Sequence, residues 1–398
     1  RVAAERAEPI GRTVGYSIRL ESKRSAATRL LFCTTGVLLR RLHGDPELRG
    51  ISHVIVDEVH ERSLQSDFLL IILRDLLLHR PRGTLRLVLM SATLNSDLFA
   101  QYFELPPEAP HPAPCVHIPG FTHPVAEMYL EDVLQMTGYI LEAGSPYAVK
   151  SRRGAEAAGG ADGLGFSETV ARSARGRGYS AKAEGQLRAA IQDEASRARE
   201  ADGDDHGYAP HVARSLALVD DDVVNIDAMV ALVEHLDATR PSGAILVFMP
   251  GLAEITALYR ALTADRALGS RMRVLPLHST LSPSEQRRVF ERPPPPLRKV
   301  VISTNVAETS ITIDDITMVI DSGRVKENRY DAANHLPQLV DTWISRANRR
   351  QRRGRAGRVS PGEFFGMYTT ETAEGMAPFQ PAEMARVPLH ELCLQIKL

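Results

Sequence analysis

The stretch His53–His60, HVIVDEVH, indicates the fold class of this chain most directly. Its first half has the composition of a strand buried on both faces, and two acids, Asp57 and Glu58, follow at once. Parallel α/β sheets bind ligands beyond the carboxyl ends of their strands, so we expect both carboxylates at that edge. One could hold Mg²⁺ while the other positions or deprotonates water. The alternative is a helix N-terminus at which the acids complement the helix dipole.

Strand and helix patterns surround this stretch on both sides. The predicted strands are Leu30–Cys33, His53–Val56, Leu85–Met90, Ala244–Phe248, Arg273–Leu275, Lys299–Ser303 and Thr317–Asp321. We expect the first three of them to be buried on both faces of their sheet. The predicted helices are Leu64–His79, Asp97–Phe103, Ala253–Leu262 and Pro283–Phe290. Alternating strands and helices of this kind predict two successive α/β units with parallel sheets.

The segment between the two series has a different composition. Residues 151–210 contain ten glycines and fourteen alanines with few large aliphatic side chains, which is too little to build a core. We expect an insertion or linker there, within which Ala181–Ala201 could form a solvated helix. The predicted organisation is a first domain over 1–135, a linker over 136–214, a second domain over 215–385 and the start of a further region over 386–398.

Composition and charge exclude several classes of protein. The 398 residues are 43% hydrophobic and contain no apolar run of the ~18 residues that a membrane span needs. The net charge of −1 neither favours nor excludes a polyanionic partner. Three cysteines without CxxC spacing argue against a disulfide framework or a zinc site and fit a reducing compartment. Because the chain opens with Arg1, we expect it to be a fragment.

Three further motifs follow predicted strands or stand near them. Ser91-Ala92-Thr93 follows the third strand, and STNVAETSITID occupies Ser303–Asp314. QRRGRAGR occupies Gln351–Arg358 within an arginine-rich run, which on its own could be a solvated basic helix face. We expect its arginines at 355 and 358 to lie on one helical face and to suit the γ-phosphate of a nucleotide.

In this order the motifs resemble the helicase core of the DEAH/RHA family of superfamily 2 RNA helicases. DEVH matches motif II, SAT motif III, Ile245–Gly251 the motif IV region, STNVAETSIT motif V, QRRGRAGR motif VI and Thr34–Arg40 motif Ib. The resemblance implies an α/β fold with two RecA-like domains in tandem. Since no GK[ST] phosphate-binding loop and no motif Ia occur, it also implies a first domain truncated at its N-terminus.

The resemblance also implies roles for individual residues. Asp57 and Glu58 would bind Mg²⁺, and Glu58 would also polarise the attacking water. His60 would couple the site to motif VI. The residues implied in catalysis are Asp57, Glu58, His60, Gln351, Arg355 and Arg358. The residues implied in nucleotide binding are Arg1, Phe290, Asp314, Ser91 and Thr93, the first two sandwiching the base. The residues implied in RNA binding are Arg19, Thr34, Thr35, Arg40, Thr304 and Asn305. For Phe290 the alternative is a core aromatic, and for the threonines it is a cap or turn.

The function implied is that of an ATP-dependent RNA helicase, which couples hydrolysis of ATP or any NTP, with Mg²⁺, to translocation on single-stranded RNA and to unwinding. RNA and activating proteins would be partners, without a membrane, and the location would be intracellular, in cytoplasm, nucleus or an organelle. The alternative is an RNA-binding pseudohelicase, since the chain has no phosphate-binding loop, and we expect the fragment alone to be inactive. A DNA substrate is a lesser alternative.

Overall fold

The computed structural model describes residues 1–81, 83–92, 96–103, 113–120, 122–149, 207–309, 311–331 and 334–397, and these form two compact units. The first unit comprises Arg1–Pro119, Asn328–Leu339 and Pro381–Leu398, and the second comprises Gly120–Glu327 and Val340–Gln380. Most of the predicted insertion, including Ala181–Ala201, lies outside the described residues. Among the described helices, none combines the length and the hydropathy that a bilayer crossing requires.

The secondary structure largely follows the predicted pattern, and the first long helix and the strands at 30, 53 and 244 have the predicted bounds. In chain order the elements are α1 (Val2–Glu5), β1 (Val14–Ile18), β2 (Glu21–Lys23), β3 (Leu30–Cys33), α2 (Thr35–Gly44), β4 (His53–Val56), α3 (Leu64–His79), β5 (Arg86–Leu89), α4 (Ser96–Tyr102), β6 (Val125–Met128), α5 (Leu130–Thr137), α6 (Pro210–Leu216), α7 (Ile226–Thr239), β7 (Ala244–Phe248), α8 (Leu252–Ala264), α9 (Arg266–Gly269), β8 (Met272–Leu277), α10 (Pro283–Arg287), β9 (Arg298–Ser303), α11 (Val306–Thr309), β10 (Ile316–Asp321), β11 (Arg324–Asp331), β12 (Leu336–Trp343), α12 (Arg346–Arg353), β13 (Gly362–Gly366), α13 (Thr370–Gly375) and α14 (His390–Lys397). Short 3₁₀ turns lie at Val59–Glu61, Arg288–Phe290 and Glu383–Ala385.

The first unit contains two small sheets. One has the order β2–β1–β3, with β1 parallel to β3, and the other pairs β4 with β5 in parallel. Helix α3 begins after Ser63, whose hydroxyl accepts the Ser66 N–H, as an N-cap does. Its apolar side, with Phe68 and Leu73, packs into the same core cluster as β4. That core holds the end of β4, and with it the acid pair, in place.

The expectation that the first three predicted strands are buried on both faces is wrong. Strand β3 is mostly exposed, and β4 alternates, with Val54 and Val56 buried and His53 and Ile55 exposed. In the described part of the chain the second sheet has two strands, and its apolar cluster with α3 involves alternate residues. The other residues therefore face outward, as in a sheet with one covered face.

The second unit is built on one parallel six-stranded sheet. Its strand order is β6–β13–β10–β7–β9–β8, and Ile245 of β7 pairs with Val300 of β9. Ile245 and Val247 pack into a core with α7 and α8, whereas Leu246 and Phe248 pack into a second core on the opposite face. Because both faces are covered, the whole of β7 is buried, which explains its uninterrupted apolar sequence.

The units divide at a different place from the predicted boundary near residue 135. Strand β6 pairs in parallel with β13, so the chain has joined the second unit by Gly120. Residues 328–339 and 381–398 belong to the first unit, although the sequence suggested a second domain continuous to 385. A four-residue edge strand carries too little periodicity to reveal which sheet it joins.

Candidate functional site

The predicted acid pair lies at the carboxyl end of β4. Asp57 is exposed and its Oδ1 accepts the N–H of Glu58 at 2.9 Å. Glu58 has a left-handed backbone, with φ at 54°, and leads into the 3₁₀ turn at Val59–Glu61. A non-glycine residue in this conformation is uncommon and is typical of functional loops. Helix α3 begins only at Leu64 with its own cap, so the pair does not lie at the N-terminus of an α-helix. Glu58 is instead the N-cap residue of the short 3₁₀ turn and makes no side-chain capping bond there.

His60 joins motif II to motif III within the first unit. The Ala92 N–H donates to its Nδ1 at 3.3 Å, and Glu58 Oε2 lies 3.4 Å from the same nitrogen. The Val59 N–H also donates to the carbonyl of Met90, the residue before the SAT motif. His60 therefore contacts both the acid pair after β4 and the loop after β5. Ser91 is exposed, and Thr93 lies outside the described residues.

The carboxylates fit the way proteins bind Mg²⁺ beside a nucleotide. Mg²⁺ is usually held by one or two carboxylates, by water and by substrate phosphates, and it rarely has a cage made wholly of protein atoms. Within the described residues no group of three or more histidine, cysteine or acidic side chains is arranged to hold a metal. An exposed Asp57 next to Glu58 therefore suits Mg²⁺ that arrives with phosphates and suits a structural metal poorly.

The prediction that Arg355 and Arg358 lie on one helical face is wrong. Helix α12 ends at Arg353, and Gly354 to Gly357 form a turn. A Cβ on Gly357 would lie 2.6 Å from the carbonyl oxygen of His123, so the chain passes very close to the residues before β6 there. The chain leaves the helical path to make this approach, which only glycine permits.

Both arginines instead contact the motif V segment of the same unit. The buried Arg355 guanidinium donates to the Ile311 carbonyl at 3.1 Å and also to the Glu308 carbonyl. Arg358 is exposed, and its Nη1 donates to Thr312 Oγ1 at 2.9 Å. Gln351 is half-buried on α12. The structure therefore brings the predicted motif V and motif VI residues together, through backbone carbonyls that the sequence did not single out.

Sequence reasoning missed a buried ion cluster beneath these motifs. Arg352 is 1% exposed and binds Glu308 at 3.0 Å and Asp321 at 2.7 Å, both of which are also buried. Its guanidinium lies 4.9 Å from the centre of the Phe248 ring. Burial opposes the charged form, but the two carboxylates outweigh it and raise the pKa of Arg352. The available signal was the acid that ends the apolar strand β10.

The residues predicted to bind the nucleotide base and ribose are accessible. Phe290 is 51% exposed in the 3₁₀ turn of the second unit, which excludes the alternative of a core aromatic. Asp314 is exposed in the same unit. Arg1 belongs to the first unit, and its exposed side chain pairs with Glu5 at 2.9 Å.

The predicted RNA contacts lie in both units and are mostly accessible. Arg19, Thr34 and Arg40 are exposed, and Thr35 is half-buried at the start of α2. Thr34 stands at the N-cap position of α2 without a side-chain capping bond, so its hydroxyl is not used as a cap. In the second unit, the exposed Asn305 and the half-buried Thr304 follow the end of β9.

Comparison with known proteins finds helicases. The family described as helicase conserved C-terminal domain matches residues 227–360. DExH-box ATP-dependent RNA helicase DExH1 of Arabidopsis thaliana is 45% identical over all of this chain, which covers 37% of that protein. ATP-dependent DNA/RNA helicase DHX36 of Bos taurus is 40% identical with the same coverages. The crystal structure of Escherichia coli DEAH/RHA helicase HrpB matches with a TM-score of 0.67 and 30% identity, over 100% of this chain and 38% of that one. The chain thus spans little more than a third of these proteins.

Proposed function

Because this chain belongs to the DEAH/RHA family of superfamily 2 helicases and has that family's RecA-like α/β fold, we propose that it is the ATP-dependent RNA helicase core of the protein that carries it. In this proposal, hydrolysis of ATP or another NTP drives translocation on single-stranded RNA and unwinds duplex or structured RNA. The names of the similar proteins, all helicases and most of them RNA helicases, support the choice of substrate.

The observation that carries the proposal is the acid pair at the end of β4. A backbone turn at Glu58 and the His60–Ala92 hydrogen bond fix this pair against the loop that follows β5. In nucleotide hydrolysis of this kind, catalysis is mainly positioning and charge stabilisation, which needs acids held on a rigid loop. The arrangement of Asp57 and Glu58 meets that requirement.

Each group has one part in the proposed reaction. Glu58 accepts the proton of the attacking water and orients it, and Asp57 would hold Mg²⁺. When bound, Mg²⁺ neutralises charge on the phosphates. Arg355 and Arg358 stabilise the charge that develops on the γ-phosphate, as guanidinium groups suit phosphate oxygens, and the Gln351 amide contacts the γ-phosphate and the attacking water. Ser91 and Thr93 are proposed to link the acid pair to the interdomain hinge.

Base and ribose contacts account for nucleotide binding without base selectivity. We propose that Phe290 and Arg1 each stack on the base and that Asp314 accepts hydrogen bonds from the ribose hydroxyls. Stacking uses the π-face that every base offers, so any NTP is a substrate.

RNA binding is proposed to use phosphate and 2′-hydroxyl contacts. Arg19 and Arg40 would contact phosphates, and the polar side chains of Thr34, Thr35, Thr304 and Asn305 would contact the sugar–phosphate backbone, without reading sequence. Activating proteins are further proposed partners. The proposed location is inside the cell, in cytoplasm, nucleus or an organelle. The free thiols of Cys33, Cys115 and Cys393 support a reducing compartment.

The test is the Glu58→Gln variant of the full-length protein, assayed for RNA-stimulated phosphate release and for ATP binding. We expect turnover to fall at least about tenfold with ATP and RNA affinity unchanged, since only a transition-state interaction is lost. Glu61→Gln is the matched control, because Glu61 is exposed one turn further along the same loop. It should keep the activity of the unchanged protein.

Two outcomes would reject the proposal. Residual activity of Glu58→Gln above about a tenth of normal would show that Glu58 is not the water-polarising group. RNA binding by the unchanged protein without any phosphate release would favour the pseudohelicase alternative. Stronger stimulation by DNA than by RNA would change the proposed substrate.

A further inference from the structure

Lys299 is a buried lysine whose hydrogen-bonding capacity is completely used. It lies on β9 in the second unit and is 2% exposed. Its Nζ donates to the Val289 carbonyl at 2.7 Å and to the Glu291 carbonyl at 3.2 Å, and it pairs with Asp315 Oδ1 at 2.7 Å. An ammonium group has three N–H donors, so these three partners satisfy it.

The three partners of Lys299 are chain neighbours of the two residues proposed to recognise the nucleoside. Val289 and Glu291 stand on either side of Phe290 in the 3₁₀ turn, while Asp315 follows Asp314. Phe290 itself is 51% exposed, so few contacts of its own ring hold it in place. A single buried cation thus links the backbone that carries the aromatic ring to the segment that carries the exposed acid.

A second ion pair holds the same turn from the neighbouring strand, where Arg273 is the register partner of Lys299. Arg273 on β8 binds the Glu291 carboxylate at 2.6 Å, but this pair is half-exposed and therefore weak. The Lys299 contacts are shielded from water, where hydrogen bonds to a charged group are stronger. The buried lysine is therefore the stronger of the two constraints on the position of Phe290.

We propose that Lys299 is a positioning residue for nucleotide binding, which holds the Phe290 ring and the Asp314 carboxylate at a fixed separation so that base and ribose are bound together. This inference rests on the proposed function, in which Phe290 stacks on the base. Lys299 does not touch the nucleotide and acts only through the backbone on both sides of Phe290 and through Asp315.

The test compares the affinity for ADP, measured by calorimetry, in the full-length protein and in its Lys299→Met, Phe290→Ala and doubly substituted variants. Methionine has a similar length but leaves the Asp315 carboxylate without its cation, which costs stability. Because that carboxylate is 21% exposed and can be hydrated, we expect the variant to fold, and circular dichroism and thermal unfolding check this before binding is compared. A stacked base contributes enough for its loss to weaken ADP binding about fivefold or more, and we expect Lys299→Met to approach that effect. The double variant should bind ADP as weakly as Phe290→Ala and no more weakly.

The control is Lys326→Met, which removes an ion pair with Glu254 elsewhere in the second unit and should leave ADP affinity unchanged. If Lys299→Met does not fold, Asp315→Asn replaces it. That variant keeps both carbonyl contacts of Lys299 while weakening the link to residues 314 and 315, and it should lower ADP affinity in the same direction.

The outcomes separate the inference from the function on which it rests. Unchanged ADP affinity in a folded Lys299→Met variant, or equal weakening by that substitution with and without Phe290, would overturn the positioning role. Unchanged ADP affinity in Phe290→Ala would instead reject base stacking itself, and with it that part of the proposed function.

Discussion

At the scale of single residues, neighbouring arginines of motif VI differ in burial and in the groups that they contact. Arg352 is buried between two carboxylates, whereas the half-exposed Arg353 pairs with Glu127 at the edge of the sheet. Arg355 holds backbone carbonyls, and Arg358 is exposed. The sequence predicted a group of phosphate-binding arginines, because composition shows where positive charge is concentrated. It singled out Arg355 and Arg358 for the γ-phosphate but gave no role to Arg352 or Arg353, since the direction of each side chain depends on where α12 ends.

We predict that Arg352→Met destabilises the second unit strongly. The substitution leaves Glu308 and Asp321 buried without their cation, which costs about 3–5 kcal/mol. Arg353→Met is the matched control and should cost at most about 1 kcal/mol, because its ion pair is half-exposed. Trp343 is the single tryptophan of the chain and lies in the second unit, so its fluorescence reports the unfolding of that unit in urea. The measurement gives the loss of stability in each variant. Equal losses in the two variants would show that the buried cluster adds nothing beyond surface charge.

At the scale of elements, the bounds of several helices and strands were predicted well, whereas the burial of β3 and β4 and the presence of β6 were not. Helix α3 and strand β7 have the predicted bounds because each carries a long apolar pattern. The burial of β3 and β4 was mispredicted because an apolar run does not reveal how many strands flank it. Strand β6 was missed for lack of any pattern, although its partner β13 makes it part of the six-stranded sheet of the second unit.

The close approach between the end of motif VI and the segment before β6 gives a prediction at this scale. A Cβ on Gly357 would lie 2.6 Å from a backbone oxygen and 2.7 Å from the Val125 side chain, so Gly357→Ala must push β6 outward. We expect a loss of about 1–3 kcal/mol, the usual cost of overpacking. Gly354→Ala is the control, because its nearest neighbours would be 3.3 Å away and its backbone is helical. Its stability should remain within about 0.5 kcal/mol of normal. Thermal unfolding of the two variants compares them, and a neutral Gly357→Ala would contradict the tight contact.

At the scale of the whole molecule, the sequence predicted two α/β units in order but not how the chain is divided between them. The family fold and the acid pair followed from motifs that have a fixed spacing. The assignment of residues 328–339 and 381–398 to the first unit depends on contacts between distant parts of the chain, such as the hydrogen bond from the Tyr330 N–H to the Arg386 carbonyl. No local pattern encodes such contacts.

We predict that the glycine- and alanine-rich segment can be removed without loss of function. On its two sides Ala148 pairs with Val219, and the Val149 N–H donates to the Leu218 carbonyl at 2.9 Å, so both flanks join the same unit. Replacing residues 151–206 with about ten Gly/Ser residues should keep RNA-stimulated ATPase within about threefold of normal. The deletion stops before Ala209, whose N–H donates to Gln135. Aggregation or loss of the melting transition would show that the segment is structural.

Because the first unit includes residues from both ends of the chain, it can be completed only after the second unit has been synthesised. The Glu383 carboxylate accepts the Leu64 N–H at the start of α3, across 319 residues of sequence. At the usual ribosomal rate of about 5–20 residues per second, this partner emerges roughly 16–64 s after the helix it completes. During that interval the loop that carries the acid pair exists without its final anchor, while the whole second unit is being made. A nascent chain halted before Pro381 would therefore present an unfinished first unit to chaperones and proteases.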